Sequence, residues 1–305
     1  MIDNYILLVL AAVCIAGMFS LKKYYQEKFA DKVKSVWLYS AITAASSIVM
    51  FLILNGFKLR FESLSFVLAV ILAVISTLNG LLGIIVVKYG EVSVYTVFMM
   101  LGGMLLPYAH GILFLQESPS ICSIIGIVIL VFAIILPVIE KLKEKAKNAK
   151  LFTLLCVTVF ILNGCVSIFS KLSRIIDEAL PVYDFLIWHY IFVFLYSILF
   201  VWTLHIWERR KNLESVSSFI KAKTNGKKAF AVCVIVFTAL VSSVGYLFQL
   251  IGAESLPSTV LYPIVSGGSI VLTALAGKRI FKEKLTFNKI MSIVLTLVGT
   301  TLFCF

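Results

Sequence analysis

The side chains in this chain that could do chemistry are few, and most are neutral. Asn79, Asn163, Tyr95, Tyr262 and Ser266 all fall inside long apolar stretches. Ser242, Gly245, Tyr246 and Gln249 recur at spacings of three or four, which is one stripe of a helix. His189 lies between Trp188 and Tyr190. Asn, Gln and Tyr can each donate and accept hydrogen bonds, so together they suit a neutral, zwitterionic or amphipathic ligand. No Asp or Glu stands near the middle of an apolar stretch; Glu91, Glu117, Glu140, Asp184 and Glu254 all sit at ends. A strongly solvated ion would find no counter-charge there. The candidate ligand-binding set is Asn79, Tyr95, Asn163, His189, Tyr246, Gln249, Tyr262 and Ser266.

Each of these has a plainer reading. Asn side chains commonly join helices in a membrane, and a stripe with small residues can be a packing face. His189 could titrate near neutrality and couple to protons. Alternatively, Trp188 and Tyr190 anchor the helix at the interface and the imidazole is simply hydrogen-bonded. Lys22 and Lys171 end apolar stretches and are expected to reach the headgroups.

The elements that must hold these residues are membrane helices. The chain has 305 residues, 61% hydrophobic and 14% charged. A soluble domain is nearer half apolar and a quarter charged. The apolar residues come in ten blocks, each close to the roughly 20 residues that span a bilayer as a helix. The spans are expected at Asn4–Ser20, Val36–Leu54, Leu64–Val87, Val92–Leu115, Ser120–Ile139, Leu151–Ser170, Val182–Trp207, Ala229–Ile251, Leu256–Ala276 and Phe287–Phe303. The longest stretch between spans, Glu208–Lys228, could form a short surface helix. Met1–Tyr5 carries Asp3 and no Lys or Arg, which is the wrong start for a cleaved signal. The first span is expected to stay in the mature protein.

The second five blocks echo the first five. Ser93 precedes Gly102-Gly103 as Ser258 precedes Gly267-Gly268, at the same separation. Glu117 precedes Gly126 as Glu283 precedes Ser292. Gly17 and Ser20 match Gly164 and Ser167. Two copies with an odd number of spans must insert in opposite senses, the arrangement that places a site at mid-membrane in many transporters. The expected fold is therefore all-α and integral to the membrane, with ten transmembrane helices as two inverted five-helix repeats around a central cavity. The repeats would be residues 1–140 and 151–305, joined by a Lys-rich linker at 141–150. The Gly pairs read first as points of close helix packing.

The net charge of +12 comes from Lys and Arg in the connecting loops. These basic residues orient the chain and touch anionic lipid, and nucleic acid is not an expected partner. Five Lys follow the first span, five fill the linker, seven Lys and Arg follow the seventh span, and four follow the ninth. The other side holds only Lys58, Arg60, Lys171 and Arg174. The positive-inside rule puts the Lys-rich loops in the cytoplasm and both termini outside.

The six cysteines, Cys14, Cys122, Cys156, Cys165, Cys233 and Cys304, have no metal or redox spacing and read as small buried hydrophobes. The three His are far apart in sequence. No nucleophile elbow, phosphate-cradling loop, catalytic carboxylate pair or metal-ligand cluster is recognisable. Catalysis, a metal and a cofactor are not expected.

Leu261-Tyr262-Pro263-Ile264-Val265-Ser266-Gly267-Gly268, followed by Phe281-Lys282-Glu283-Lys284-Leu285-Thr286, resembles one family in detail. It is similar to the proline-containing ninth helix, and its Glu-Lys/Arg-Leu-Thr turn, in the EamA-like ten-helix branch of the drug/metabolite transporter superfamily. The first half departs from that pattern. Phe98 stands near the expected proline, and Ser118-Pro119-Ser120 replaces Leu-Thr. The resemblance implies carriage of a small metabolite by alternating access, with helices 4 and 9 bordering the cavity and no prosthetic group. It also implies cytoplasmic termini, opposite to the charge count. The small multidrug-resistance relatives use a Glu embedded in helix 1, and the first span here has none. The expected role is a secondary transporter of a small neutral, zwitterionic or amphipathic metabolite in the plasma membrane. Membrane lipids would be its other partner, and a monomer would suffice. The alternatives are a non-transporting membrane component or a lipid-acting integral membrane protein.

Overall fold

The computed structural model describes residues 2–29, 33–86, 89, 92–139, 149–210, 225–282 and 287–305. Among these residues there are ten α-helices and no strand. They are α1 (Ile2–Phe29), α2 (Val33–Leu54), α3 (Ser63–Val86), α4 (Val92–Phe114) and α5 (Ile121–Ile139). The second set is α6 (Ala149–Ile175), α7 (Val182–Arg210), α8 (Asn225–Ser255), α9 (Ser258–Ile280) and α10 (Phe287–Thr301), with a 3₁₀ turn at Leu302–Cys304. Most of the Lys141–Lys150 linker and of Glu208–Lys228 lies outside the described residues, as does Glu283.

Seven of the helices carry apolar windows of 18 or more residues, long enough to cross a bilayer. The other three hold shorter apolar segments, Phe98–Phe114, Ile121–Leu136 and Ile290–Thr301. Several helices outrun the expected spans. The first continues to Phe29 and the eighth starts at Asn225. Hydropathy marks only the lipid-buried stretch, whereas backbone hydrogen bonding continues through the polar interface. The outer surface is apolar, with Val13, Ile53, Phe132, Ile161, Leu199 and Phe237 all exposed. That is the surface a lipid-solvated bundle must present.

Helix neighbours follow a five-place exchange. α1 packs on α8 and α9 as α6 packs on α3 and α4. α3 meets α7 as α8 meets α2, and α2–α7, α4–α9 and α5–α10 map onto themselves. The two five-helix halves are thus related by a two-fold exchange, and an odd span count makes them run in opposite senses. The turns that close α4 and α9 match as well. Each contains a non-glycine residue in the left-handed region, Gln116 (φ 54°) and Lys282 (φ 52°). Such a residue ends a helix sharply.

The cysteines do not share one environment. Cys156 is buried, Cys14, Cys122 and Cys165 are half-buried, and Cys233 is exposed. The expectation of uniformly buried thiols fails because an apolar position in a membrane helix can face lipid as readily as protein. The Cys304 side chain lies outside the described residues.

Candidate functional site

The polar groups converge on one face of α6. Asn163, Ser167, Ser170, Lys171 and Arg174 follow the spacing of a single helical face. Each reaches a different neighbour. Asn79 Nδ2 on α3 donates to Asn163 Oδ1 (3.1 Å), and Asn163 Nδ2 donates to the Met99 carbonyl on α4 (2.7 Å). Ser167 Oγ donates to the Gly103 carbonyl (3.1 Å). The Tyr262 hydroxyl on α9 donates to the Ser167 carbonyl. Ser170 Oγ and the Tyr246 hydroxyl on α8 lie 2.7 Å apart.

The bonds from Asn163 and Ser167 to α4 form because α6 and α4 approach closely. A methyl added at Gly102 would stand 2.0 Å from the Phe160 carbonyl oxygen, and one at Gly164 would stand 2.2 Å from Leu106 Cδ1. At Gly103 it would meet Asn163 Nδ2 at 2.5 Å. Only glycine permits that backbone contact, which brings the Met99 and Gly103 carbonyls within reach of α6.

The eight candidates therefore fall as follows. Asn79 and Asn163 are bonded to each other, and Asn79 Oδ1 is buried without a partner among the described residues. Tyr262 is buried, and Tyr246 is half-buried against Ser170. The His189 ring is buried, with its centroid 6.0 Å from that of Tyr246 and its Nδ1 without a partner among the described residues. Gln249 is half-buried, one turn beyond Tyr246. Ser266 is half-buried one turn past Tyr262, and its carbonyl accepts from Ser269 Oγ (2.9 Å). Tyr95 belongs to α4, but its side chain lies outside the described residues.

Neither of two surface cavities is lined by any of the eight. One, of about 530 Å³, lies between α1, α8 and α9, and the other, of about 370 Å³, lies along α7.

One end of the bundle is pinned by charges that the sequence reading placed elsewhere. Lys171 does not reach the headgroups. It is 6% exposed, and its ammonium donates to the Ala253 and Leu256 carbonyls, both at 2.7 Å. The α8–α9 turn leaves those carbonyls without helical donors, and a buried cation satisfies them. Beside it, Arg174 donates to the Leu180 carbonyl (3.0 Å), pairs with Glu254 (3.6 Å) and stacks on the Phe185 ring. Glu117 accepts the backbone N–H groups of Ser258 (2.7 Å) and Thr259 (2.8 Å), so a carboxylate from the α4 turn caps α9. The spacing Asn163, Ser167, Ser170, Lys171, Arg174 was visible in the sequence as one polar face. Treating the cations only as topology signals hid it.

Trp188 Nε1 donates to the Arg60 carbonyl (2.9 Å). Asp184 is buried in the same corner and accepts from Asn55 Nδ2 (2.9 Å) and the Arg60 N–H (2.8 Å).

The helices and apolar perimeter of the described residues are those of a polytopic membrane protein. Residues 151–305 match the model of the EamA-like transporter family, and the chain belongs to that family. This agrees with the drug/metabolite transporter superfamily. A solved structure described only as the crystal structure of a protein superposes with a TM-score of 0.72 at 13% identity, covering 98% of this chain and 96% of its own. At that identity it speaks for the fold alone. Comparison with curated proteins gives no match.

Proposed function

We propose that this chain is a secondary transporter that moves a small neutral, zwitterionic or amphipathic metabolite by alternating access, without catalysis and without a cofactor. The halves would be residues 1–140 and 151–305, with 141–150 as the linker. The plasma membrane is its proposed location, and a monomer is sufficient. The observation that carries this reading is the difference between matching places in the two halves. Around α6 the groove is shut by the Gly102, Gly103 and Gly164 contacts and by the Asn163, Ser167 and Ser170 bonds. Around α1, Gly17 makes only an ordinary 3.4 Å contact with Val241 and borders a cavity between α1, α8 and α9, although a methyl at Gly245 would meet Cys14 at 2.8 Å and one at Gly268 would meet Ala12 at 3.1 Å where the same helices pack. A protein that alternates between two such packings exchanges which half is shut.

In this reading the closed end is held by Lys171, Glu117 and Arg174. The substrate takes up the hydrogen-bonding capacity of Asn79, Asn163, Tyr246, Gln249 and Tyr262, with Tyr95, His189 and Ser266 completing the set. Buried polar groups without partners are costly, so the free Asn79 Oδ1 and His189 Nδ1 favour a ligand that can donate to them. The test is uptake and counterflow in proteoliposomes against a metabolite panel, with Asn79→Ala and Tyr262→Ala beside the unaltered chain. Saturable flux that both substitutions reduce severalfold is expected. Flux that neither changes overturns the site, and no flux for any panel compound overturns the transport reading.

A further inference from the structure

We propose that Arg174 is a carboxylate-binding residue, and that Glu254 stands in for a substrate carboxylate until one displaces it. This rests on the transporter reading for its substrate, and narrows that substrate to a metabolite carrying a carboxylate.

Lys171, Glu117 and Arg174 gather where α6 meets the α8–α9 turn. The first two are already committed. The Lys171 ammonium donates to the Ala253 and Leu256 carbonyls, and both Glu117 oxygens accept backbone N–H groups of α9. Arg174 is different. Its side chain is 1% exposed. Nε donates to Ser173 Oγ (3.3 Å) and Nη1 to the Leu180 carbonyl (3.0 Å), but Nη2 is buried with no partner among the described residues. A buried donor on a charged group is costly to leave unpaired. The acceptor that fits a guanidinium fork best is a carboxylate, which takes two parallel N–H bonds.

Glu254 offers a carboxylate without seating it. It stands 3.6 Å from Nη1, rather than at the roughly 2.7–2.9 Å of a charge-assisted bond, and its side chain is 48% exposed. An ion pair of that length with a half-exposed partner is weak. A second carboxylate, arriving from the side on which Glu254 is exposed, can take Nη1 and Nη2 together.

The guanidinium is continuous with the proposed metabolite site. Arg174 follows Ser170 by one turn of α6, and Ser170 Oγ lies 2.7 Å from the Tyr246 hydroxyl. Arg174 also stacks on Phe185, with Cζ 4.9 Å from the ring centroid, and His189 follows Phe185 by one turn of α7. The His189 and Tyr246 ring centroids are 6.0 Å apart. A carboxylate on Arg174 therefore leaves the rest of a small ligand beside Tyr246 and His189. Glu254 lies between Ala253 and Leu256, the two residues held by Lys171, so displacing it also frees one tie on the α8–α9 turn.

The test is thermal unfolding of the purified full chain with matched acids and primary amides: benzoate and benzamide, lactate and lactamide, N-acetylleucine and N-acetylleucinamide. At least one acid should raise Tm saturably, and its amide should not. Glu254→Gln removes the competitor and should tighten acid binding severalfold. Arg174→Gln should abolish it, and Arg174→Lys, which keeps the charge and loses the fork, should weaken it severalfold. A purely structural ion pair predicts the opposite for Glu254→Gln, an acid response that is unchanged or weaker. That result overturns the proposal even if Arg174→Gln fails to fold. Equal stabilisation by acid and amide, or none by any acid, overturns it too. Flux in proteoliposomes is read separately. Acid binding without flux for any compound removes the transport reading and keeps the carboxylate site, whereas flux indifferent to both Arg174→Lys and Glu254→Gln removes the carboxylate site and keeps the transport reading.

Discussion

Asn79 and Asn163 are joined side chain to side chain across the α3–α6 interface, and Asn163 passes the bond on to the Met99 carbonyl of α4. Three helices therefore share one amide. Asn163→Ala leaves both a side chain and a carbonyl unpaired and should cost about 1–3 kcal/mol. Asn79→Ala removes one weak interhelical bond and should cost about 0.6 kcal/mol. Reversible unfolding in mixed micelles measures both. Equal losses would show that the amide is not shared.

Glu117 tests the closed end. Both of its oxygens cap α9, and Gly111 makes room for them, since a methyl there would stand 2.5 Å from Glu117 Oε2. Glu117→Ala should lower stability by about 1–2 kcal/mol, the size of a lost N-terminal cap. Gly111→Ala should do similar damage by displacing the carboxylate. Thermal unfolding of the purified variants checks both.

The glycines of the two halves should respond differently. Gly102→Ala forces a carbon against the Phe160 carbonyl and should destabilise by about 1–3 kcal/mol. Gly17→Ala meets only Val241 at 3.4 Å and should be neutral, or stabilising by up to about 1 kcal/mol through helix propensity. Equal effects at the two sites would remove the packing asymmetry on which the alternating reading depends.

Tyr262 separates packing from hydrogen bonding. Tyr262→Phe keeps the buried ring and loses the bond to the Ser167 carbonyl, while Tyr262→Ala loses both. Tyr262→Ala should reduce transport severalfold with membrane insertion intact, and Tyr262→Phe should retain insertion and most stability. Flux assays beside a protease-accessibility check of insertion read the two effects separately.

Orientation is open to direct measurement. The charge distribution predicts external termini and a cytoplasmic Lys141–Lys150 linker, and Cys labelling from either side of the membrane decides it. A cytoplasmic C-terminus would mean that the family's topology overrides the loop charges.

The sequence by itself carried the architecture. Ten apolar blocks, the repeated Ser and Gly-Gly spacings and the Tyr262-to-Thr286 pattern were enough, because lipid forces backbone groups to pair within each span. Spacing also put Asn79 and Asn163 at mid-membrane depth. Partnership was beyond its reach. Nothing local shows that Lys171 turns inward to two carbonyls of the α8–α9 turn while Lys22, also at a helix end, stays exposed. Nor does spacing show that Gly164 is packed against Leu106 while its counterpart Gly17 borders an open cavity. Matching sequence patterns specify matching helices, but how closely two helices approach depends on the side chains of a third and fourth. Only the assembled bundle decides that.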